Sequence, residues 1–220
     1  MRIAVLGTGE VGRALAGRCA EVGHDVVVGT RDPARTRERD DYAGWLAAHD
    51  AVRLVANAEA GAHAELLVNA TNGAGSLAAL TDAGVAERPG LVVLDVANVL
   101  DFSGGGRYPA IGAANDHSLA EQLQAAFPTA RVVKGLNTMH CQVMVDPGRV
   151  PGEHVTFVAG DDEEAKATVR DLLAAFGWPE HRVLDLGGLS AARATEMYLP
   201  LWLSIFTAAG TTDVNIAVCR

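Results

Sequence analysis

The run Ile3-Ala4-Val5-Leu6-Gly7-Thr8-Gly9-Glu10-Val11-Gly12 constrains this chain more than any other. Four apolar residues read as a short buried strand. Gly7, Gly9 and Gly12 then fit G-x-G-x-x-G, and helical periodicity follows at once. Each glycine has a physical task at a strand–turn–helix junction. Gly7 permits the tight turn, Gly9 lets a pyrophosphate approach the backbone, and Gly12 lets the helix lie close to its strand. The helix start offers free N–H groups and partial positive charge to an anion. The spacing alone is a weak signal. With a strand before it and a helix after it, the run predicts dinucleotide binding along Gly7, Thr8, Gly9, Glu10, Val11 and Gly12.

The rest of the chain alternates in the same way. Strands are expected near 25–28, 52–55, 65–70, 91–96, 131–134, 155–160 and 182–186. Helices are expected near 11–22, 41–48, 57–64, 118–127 and 161–176. A last helix over 190–209 should kink or break at Pro200. Asp116 is the expected cap of the 118–127 helix, and Cys19 is expected in the core. This is a Rossmann-type, doubly wound, mostly parallel α/β sheet, its first six strands in order 3-2-1-4-5-6. A small C-terminal α/β extension ends in the long helix. The division reads as a nucleotide-binding part, 1–150, and a smaller part, 151–220, packed on it with the acceptor cleft between. A length of 220 residues and a hydrophobic share of 49% suffice for such a core.

The end of the second strand decides cofactor choice. An NAD site usually places an acid there, whereas this chain has Gly29-Thr30-Arg31-Asp32-Pro33. Thr30 and Arg31 stand where a 2′-phosphate would lie, and Arg35 follows one turn on. A guanidinium holds phosphate by paired, charge-assisted bonds, so the segment favours NADP. Asp32 is the acid that could still reach a ribose. Arg37 and Arg39 read as a solvated face among interleaved acids. The fourth strand ends in Asn69-Ala70-Thr71-Asn72, at the carboxyl edge where ligands of open α/β sheets sit. These four are expected at the cofactor's central riboses, the plainer alternative being an ordinary Asn/Gly turn. Asn98 is expected near the nicotinamide. The glycine-rich loop 102–106 is a candidate cover for a ligand. Lys134, at the end of the sixth strand, reads equally as structural or as a contact to an anion. Lys166 is expected on the surface beside Asp162 or Glu163, and Met197, Leu201 and Ile205 in core or dimer contacts.

A net charge of −9 argues against general nucleic-acid binding. Three widely spaced cysteines suggest no disulfide framework and a cytoplasmic setting. No signal segment and no membrane-spanning run is read. His140 and Cys141 are neighbours without a second ligand pair, so no metal is expected. Nucleophile elbows and Tyr-x-x-x-Lys pairs are missing, and no catalytic residue is assigned. A hydride passed directly between two organic cofactors needs proximity and orientation, not a protein acid.

The chain resembles the NADPH:coenzyme F420 oxidoreductases. The likeness runs through Gly7-Thr8-Gly9, Val28-Gly29-Thr30-Arg31, Val133-Lys134-Gly135-Leu136-Asn137-Thr138 and Gly160-Asp161-Asp162-Glu163. It continues through Leu184-Asp185-Leu186-Gly187-Gly188-Leu189, Ala192-Arg193, Glu196 and Pro200-Leu201. The resemblance implies a homodimer and hydride exchange between NADPH and F420. It implies that Thr8, Thr30, Arg31 and Arg35 hold NADP. Asn72, Asn98, Asn137 and Thr138 would then surround the nicotinamide and the deazaflavin. Lys134 and Arg107 are candidates for the acceptor's anionic tail. Val99 replaces the proline of related bacterial chains, and Asn137 the histidine of archaeal ones. A reductase of a flavin or another small acceptor, and a non-catalytic NADPH-binding sensor, remain the alternatives.

Overall fold

The computed structural model describes residues 1–101, 110–111 and 116–219. Ile3 and Val5 of the first strand enter one core, and Ala4 and Leu6 enter the other. A strand that is apolar on both faces must lie inside a sheet covered by helices on both sides. The strands are β1 (Arg2–Leu6), β2 (Asp25–Thr30), β3 (Val52–Ala56), β4 (Leu66–Asn69), β5 (Val92–Asp95), β6 (Leu100–Asp101), β7 (Ala110–Ile111), β8 (Arg131–Gly135), β9 (Thr156–Gly160) and β10 (Val183–Asp185). Eight of them form one sheet in the order β10-β9-β8-β5-β4-β1-β2-β3, and β6 pairs with β7. Counting β8 as the sixth strand of that sheet, the expected 3-2-1-4-5-6 order is present, with every pairing in it parallel. β9 joins β8 antiparallel, and β10 extends β9 in parallel. β1 lies between β2 and β4, so the glycine turn leaves the sheet where the strand order reverses.

Helices α1 (Glu10–Glu21), α2 (Pro33–Arg37), α3 (Asp40–Ala47), α4 (Asn57–His63), α5 (Ser76–Asp82), α6 (Leu119–Ala126), α7 (Cys141–Val145), α8 (Glu163–Phe176), α9 (Ala192–Met197) and α10 (Leu199–Ala209) complete the layers. Side chains of α1, α3, α7 and α8 fill one core, and those of α4, α5, α6 and α9 the other. Cys19 is buried in the first, as expected. No helix among the described residues is long and apolar enough to cross a membrane.

Two local expectations need correction. Ser118, not Asp116, caps α6: its hydroxyl accepts from the Glu121 N–H at 3.1 Å while Glu121 Oε2 accepts from the Ser118 N–H at 2.8 Å. Lys166 is only 2% exposed, its Nζ held by Glu163 at 2.7 Å and Asp185 at 2.9 Å. Helical spacing gave the Glu163 partner, but Asp185 on β10 is a tertiary contact. The last helix is broken beside Pro200, as expected: it divides into α9 and α10 at Tyr198, and Pro200 itself falls in the first turn of α10, where a missing N–H is tolerated. The loop 102–106 and Arg107 lie outside the described residues.

Candidate active site

The turn between β1 and α1 has the geometry that its glycines require. Gly7 has φ +124°, and a Cβ there would stand 2.3 Å from the Ala70 carbonyl oxygen. A Cβ on Gly12 would stand 2.1 Å from the Gly7 carbonyl oxygen, so α1 sits directly on the turn. A Cβ on Gly9 would meet nothing within 4 Å. The space above Gly9 is therefore open to a ligand, at the N-terminus of a 12-residue helix.

A cavity of about 420 Å³ runs from this turn past the end of β2, lined by Thr8, Thr30, Arg31, Asn57, Ala70, Thr71 and Asn72 among others. The Asp32 carboxylate accepts the Arg35 N–H at 3.0 Å and caps α2. That acid is engaged by the helix it starts. The Thr30 hydroxyl is braced on Thr36 at 3.0 Å, and Arg31 stands exposed at the cavity. The Arg35 side chain is exposed and does not line it. Arg37 donates to the Leu54 carbonyl at 2.9 Å, a structural contact. Asn57, at the start of α4, is a lining residue that periodicity alone did not single out.

A second cavity of about 620 Å³ opens beyond β4, β5 and β8. It shares Gly9, Ala70, Thr71 and Asn72 with the first, so the two form one continuous groove. Glu10, Val11, Asn98 and Asn137 also line it. Its far wall comes from α7 and α10: Met139, His140, Cys141, Met144, Leu199, Trp202 and Leu203. The face of α10 away from this wall carries the exposed Leu201.

The floor is a buried polar network. Asn69 is fully buried, and its amide donates to Ser76 at 2.9 Å and Asp95 at 2.8 Å while its oxygen accepts from the Thr71 hydroxyl at 2.8 Å. It holds the turn and presents no side chain to a ligand, which corrects its expected role at the riboses. Lys134 is also buried, with Nζ 2.8 Å from Asp95, 2.8 Å from Glu196 and 2.5 Å from the Ala97 carbonyl oxygen. Its structural reading holds, and its role at an anionic tail is withdrawn. Glu196 also accepts the Leu119 N–H at 2.8 Å, tying α9 to the start of α6. Thr138 is buried and its hydroxyl has no hydrogen-bond partner among the described residues.

Sequence spacing does not single out His140, because its carboxylate partner Glu10 is remote in sequence. Its Nε2 lies 3.4 Å from Glu10 Oε1, and its Nδ1 accepts the Gln142 N–H at 3.3 Å. Donor atoms of Glu10, His140 and Cys141 lie within 4.8 Å of one another, a grouping with metal-ligand chemistry that the adjacent pair alone did not show. Burial and the neighbouring Glu10 carboxylate push the Cys141 thiol up to about 12, so it stays protonated and is not a ready nucleophile.

Residues 2–99 match the family described as NADP oxidoreductase, coenzyme F420-dependent. A 1.70 Å crystal structure from Arthrobacter sp. FB24, of a protein provisionally named an F420-dependent NADP-reductase, is 49% identical, with a TM-score of 0.95 and full coverage of both chains. The chain belongs to the coenzyme F420-dependent NADP oxidoreductase family. Among curated family relatives, the F420-dependent NADP reductase of Methanothermobacter marburgensis is 28% identical over 210 residues, 93% of this chain and 92% of its own length. Metalloreductase STEAP3 of Rattus norvegicus is 29% identical over 205 residues, 91% of this chain. This chain spans only 38% of that rat protein. The family is one of NADP-dependent oxidoreductases, and the Rossmann-type fold expected from the glycine turn is the family's fold.

Proposed function

We propose that this family member transfers a hydride between NADPH and coenzyme F420. The observation that carries the reading is the continuous groove. A cavity of mixed lining beside Thr30 and Arg31 joins a more apolar one at Gly9, Ala70, Thr71 and Asn72. An extended dinucleotide fits the first, and a planar acceptor fits the second, against Leu199, Trp202 and Leu203. The acceptor cleft then lies between the 1–150 part and the 151–220 part. The glycine turn holds the pyrophosphate, Thr8, Thr30 and Arg31 the 2′-phosphate, and Asn72, Asn98 and Asn137 the meeting point of the two rings. NADPH supplies two electrons as one hydride, and becomes NADP+. The protein's part is to align donor and acceptor and to exclude water. A sensor needs only the nucleotide half, so the second cavity favours an enzyme. The exposed Met197 and Leu201 fit a homodimer contact, and the free cysteines among the described residues fit a reducing cytoplasm.

The test mixes purified protein with NADPH and F420 and follows the loss of oxidised deazaflavin absorbance. NADPH deuterated at one face of the nicotinamide C4 should pass its label to the deazaflavin. A second reading, reduction of a flavin or ferric chelate, is favoured by one feature. His140 beside Glu10 puts a proton-bearing group on the acceptor wall. Turnover of FMN or a ferric chelate with none of F420 selects that reading. Binding of NADPH with no acceptor consumed selects the sensor.

A further inference from the structure

Beside the nucleotide cavity stands a cation that does not itself line it but is bonded to a residue that does. Arg39 lies between α2 and α3, and its Nη1 donates to Thr8 Oγ1 at 3.0 Å, across from the glycine turn. Its Nε and Nη2 donate to the Asp41 carboxylate at 3.2 and 2.8 Å. Arg13 of α1 grips the same residue, its Nη1 lying 2.8 Å from the carboxylate and 2.9 Å from the carbonyl oxygen. The Arg39 side chain is 44% exposed, and an arginine that exposed ordinarily ranges through solvent. Here its fork is fixed from two sides.

Thr8 lines the cavity together with Thr30 and Arg31. A group fixed on the Thr8 hydroxyl therefore stands at the rim where a 2′-phosphate is read. Arginine has five N–H donors. Two of those on Arg39, one on each Nη, have no partner among the described residues. Asp41 is held below its usual carboxylate range, first by the Arg39 hydrogen bond and then by Arg13. Its single charge is set against the two guanidinium groups of Arg39 and Arg13.

We propose that Arg39 is a further specificity-determining residue that binds the 2′-phosphate of NADP, with Asp41 as its positioning carboxylate. Arg39 rests on Thr8. With nucleotide bound, the fork turns its remaining donors to the phosphate and keeps its hold on Asp41. This rests on the NADP reading of the site. It differs from a simple tether between the turn and α3 in one respect. A tether supports every dinucleotide equally, whereas a phosphate reader separates NADPH from NADH.

The experiment measures the Kd of NADPH and of NADH for the full chain, unmodified and with Arg39→Ala or Arg39→Lys. The unmodified protein should prefer NADPH. Arg39→Ala should weaken NADPH on the order of tenfold, about 1.4 kcal/mol, and leave NADH unchanged. Arg39→Lys should recover part of the loss, because it returns charge without the fork. Adenosine 2′,5′-bisphosphate should lose affinity in step with NADPH, and 5′-AMP should not. Equal losses for NADPH and NADH, or no loss for either, overturn the role of Arg39 alone. An unmodified protein that does not distinguish the two nucleotides overturns the NADP reading itself, and this inference with it.

Discussion

Asn98 and Asn137 hold each other across the ends of β5 and β8. Asn98 Nδ2 donates to the Asn137 carbonyl at 2.9 Å, and Asn137 Nδ2 donates to Asn98 Oδ1 at 3.0 Å. The residue before Asn137, Leu136, has φ +60° without being glycine. Such a backbone costs roughly 1–3 kcal/mol and persists only where its surroundings enforce it. The buried Leu136 side chain and the asparagine pair supply that enforcement. Both asparagines face the groove at the proposed meeting point of the two rings.

Replacing Asn137 with alanine leaves one side of that pair unmatched. Loss of a partner for a buried polar group costs about 1–3 kcal/mol. Asn137→Ala should lower the urea midpoint accordingly. It should also lower kcat for hydride transfer more than it weakens NADPH, since the nucleotide cavity is lined by other residues. Stopped-flow turnover and a nucleotide titration on the same sample decide it. An unchanged kcat would remove Asn137 from the site.

Arg31 carries the prediction for cofactor choice. A charge-assisted phosphate contact is worth about 1.5–3 kcal/mol. That is on the order of 10- to 100-fold in affinity. Arg31→Ala should weaken NADPH by about that factor and leave NADH nearly untouched, as read by nicotinamide fluorescence. Parallel losses would show that Arg31 does not read the 2′-phosphate.

Lys134 makes the opposite kind of prediction. Removing its charge leaves Asp95 and Glu196 buried together without their cation, and breaking a buried pair costs about 3–5 kcal/mol. Lys134→Met should lose stability on that scale in urea unfolding. Where the variant is folded, its preference among acceptors with longer or shorter anionic tails should match that of the unmodified chain. A selective loss for long-tailed acceptors would restore Lys134 to the acceptor site.

The strands, the order of the sheet and the glycine turn were legible because each follows from local pattern: apolar runs, a G-x-G-x-x-G spacing, and crossovers of one hand. Thr30 and Arg31 were legible because their place is fixed relative to β2. Asn69 and Lys134 have polar side chains at strand ends, where pattern cannot separate a ligand contact from a buried network. That choice was made by Asp95 and Glu196, residues 26 and 62 positions away. His140 and Trp202 come together on the wall of the second cavity only through the packing of α7 and α10 against the strand ends, and no local spacing records such a contact. Arg39 reads as solvated from the sequence because, although Asp41 is two positions on, its other anchor Thr8 lies on a distant segment.

Glu121 sets an acid limit on stability. Two bonds from Arg193, at 2.8 and 2.6 Å, join α9 to α6 and hold the Glu121 carboxyl down at about 2. The folded value lies below the unfolded one of 4.5. The pair therefore stabilises the fold fully above about pH 4.5, and its contribution fades as pH falls toward 2. Arg193→Met should lower Tm at pH 7, and the gap to the unmodified chain should narrow steadily below pH 4.5. A gap that is constant across that range would mean that Arg193 acts by packing alone.

Trp202 is the part of the proposed acceptor wall that can be watched directly. Its ring stacks on Phe206 at 5.6 Å between centroids, with planes 7° apart, and stands 6.5 Å from the His140 ring at 14°. Its Nε1 reaches the Val214 carbonyl at 3.5 Å. The buried Trp178 does not line the groove but stands behind its wall, Nε1 donating to the Met144 carbonyl at 2.9 Å, and Trp45 sits against Tyr42 and His49 on the α3 side. A planar acceptor entering the second cavity should therefore quench mainly Trp202. Trp202→Phe should abolish most of that quench, raise the KM for the acceptor several-fold, and leave the Kd of NADPH unchanged. The phenylalanine retains an aromatic face, so the fold should be kept, which a circular-dichroism melt checks. If the quench and the acceptor KM survive the substitution, the acceptor does not bind against α10, and its site must be sought elsewhere along the groove.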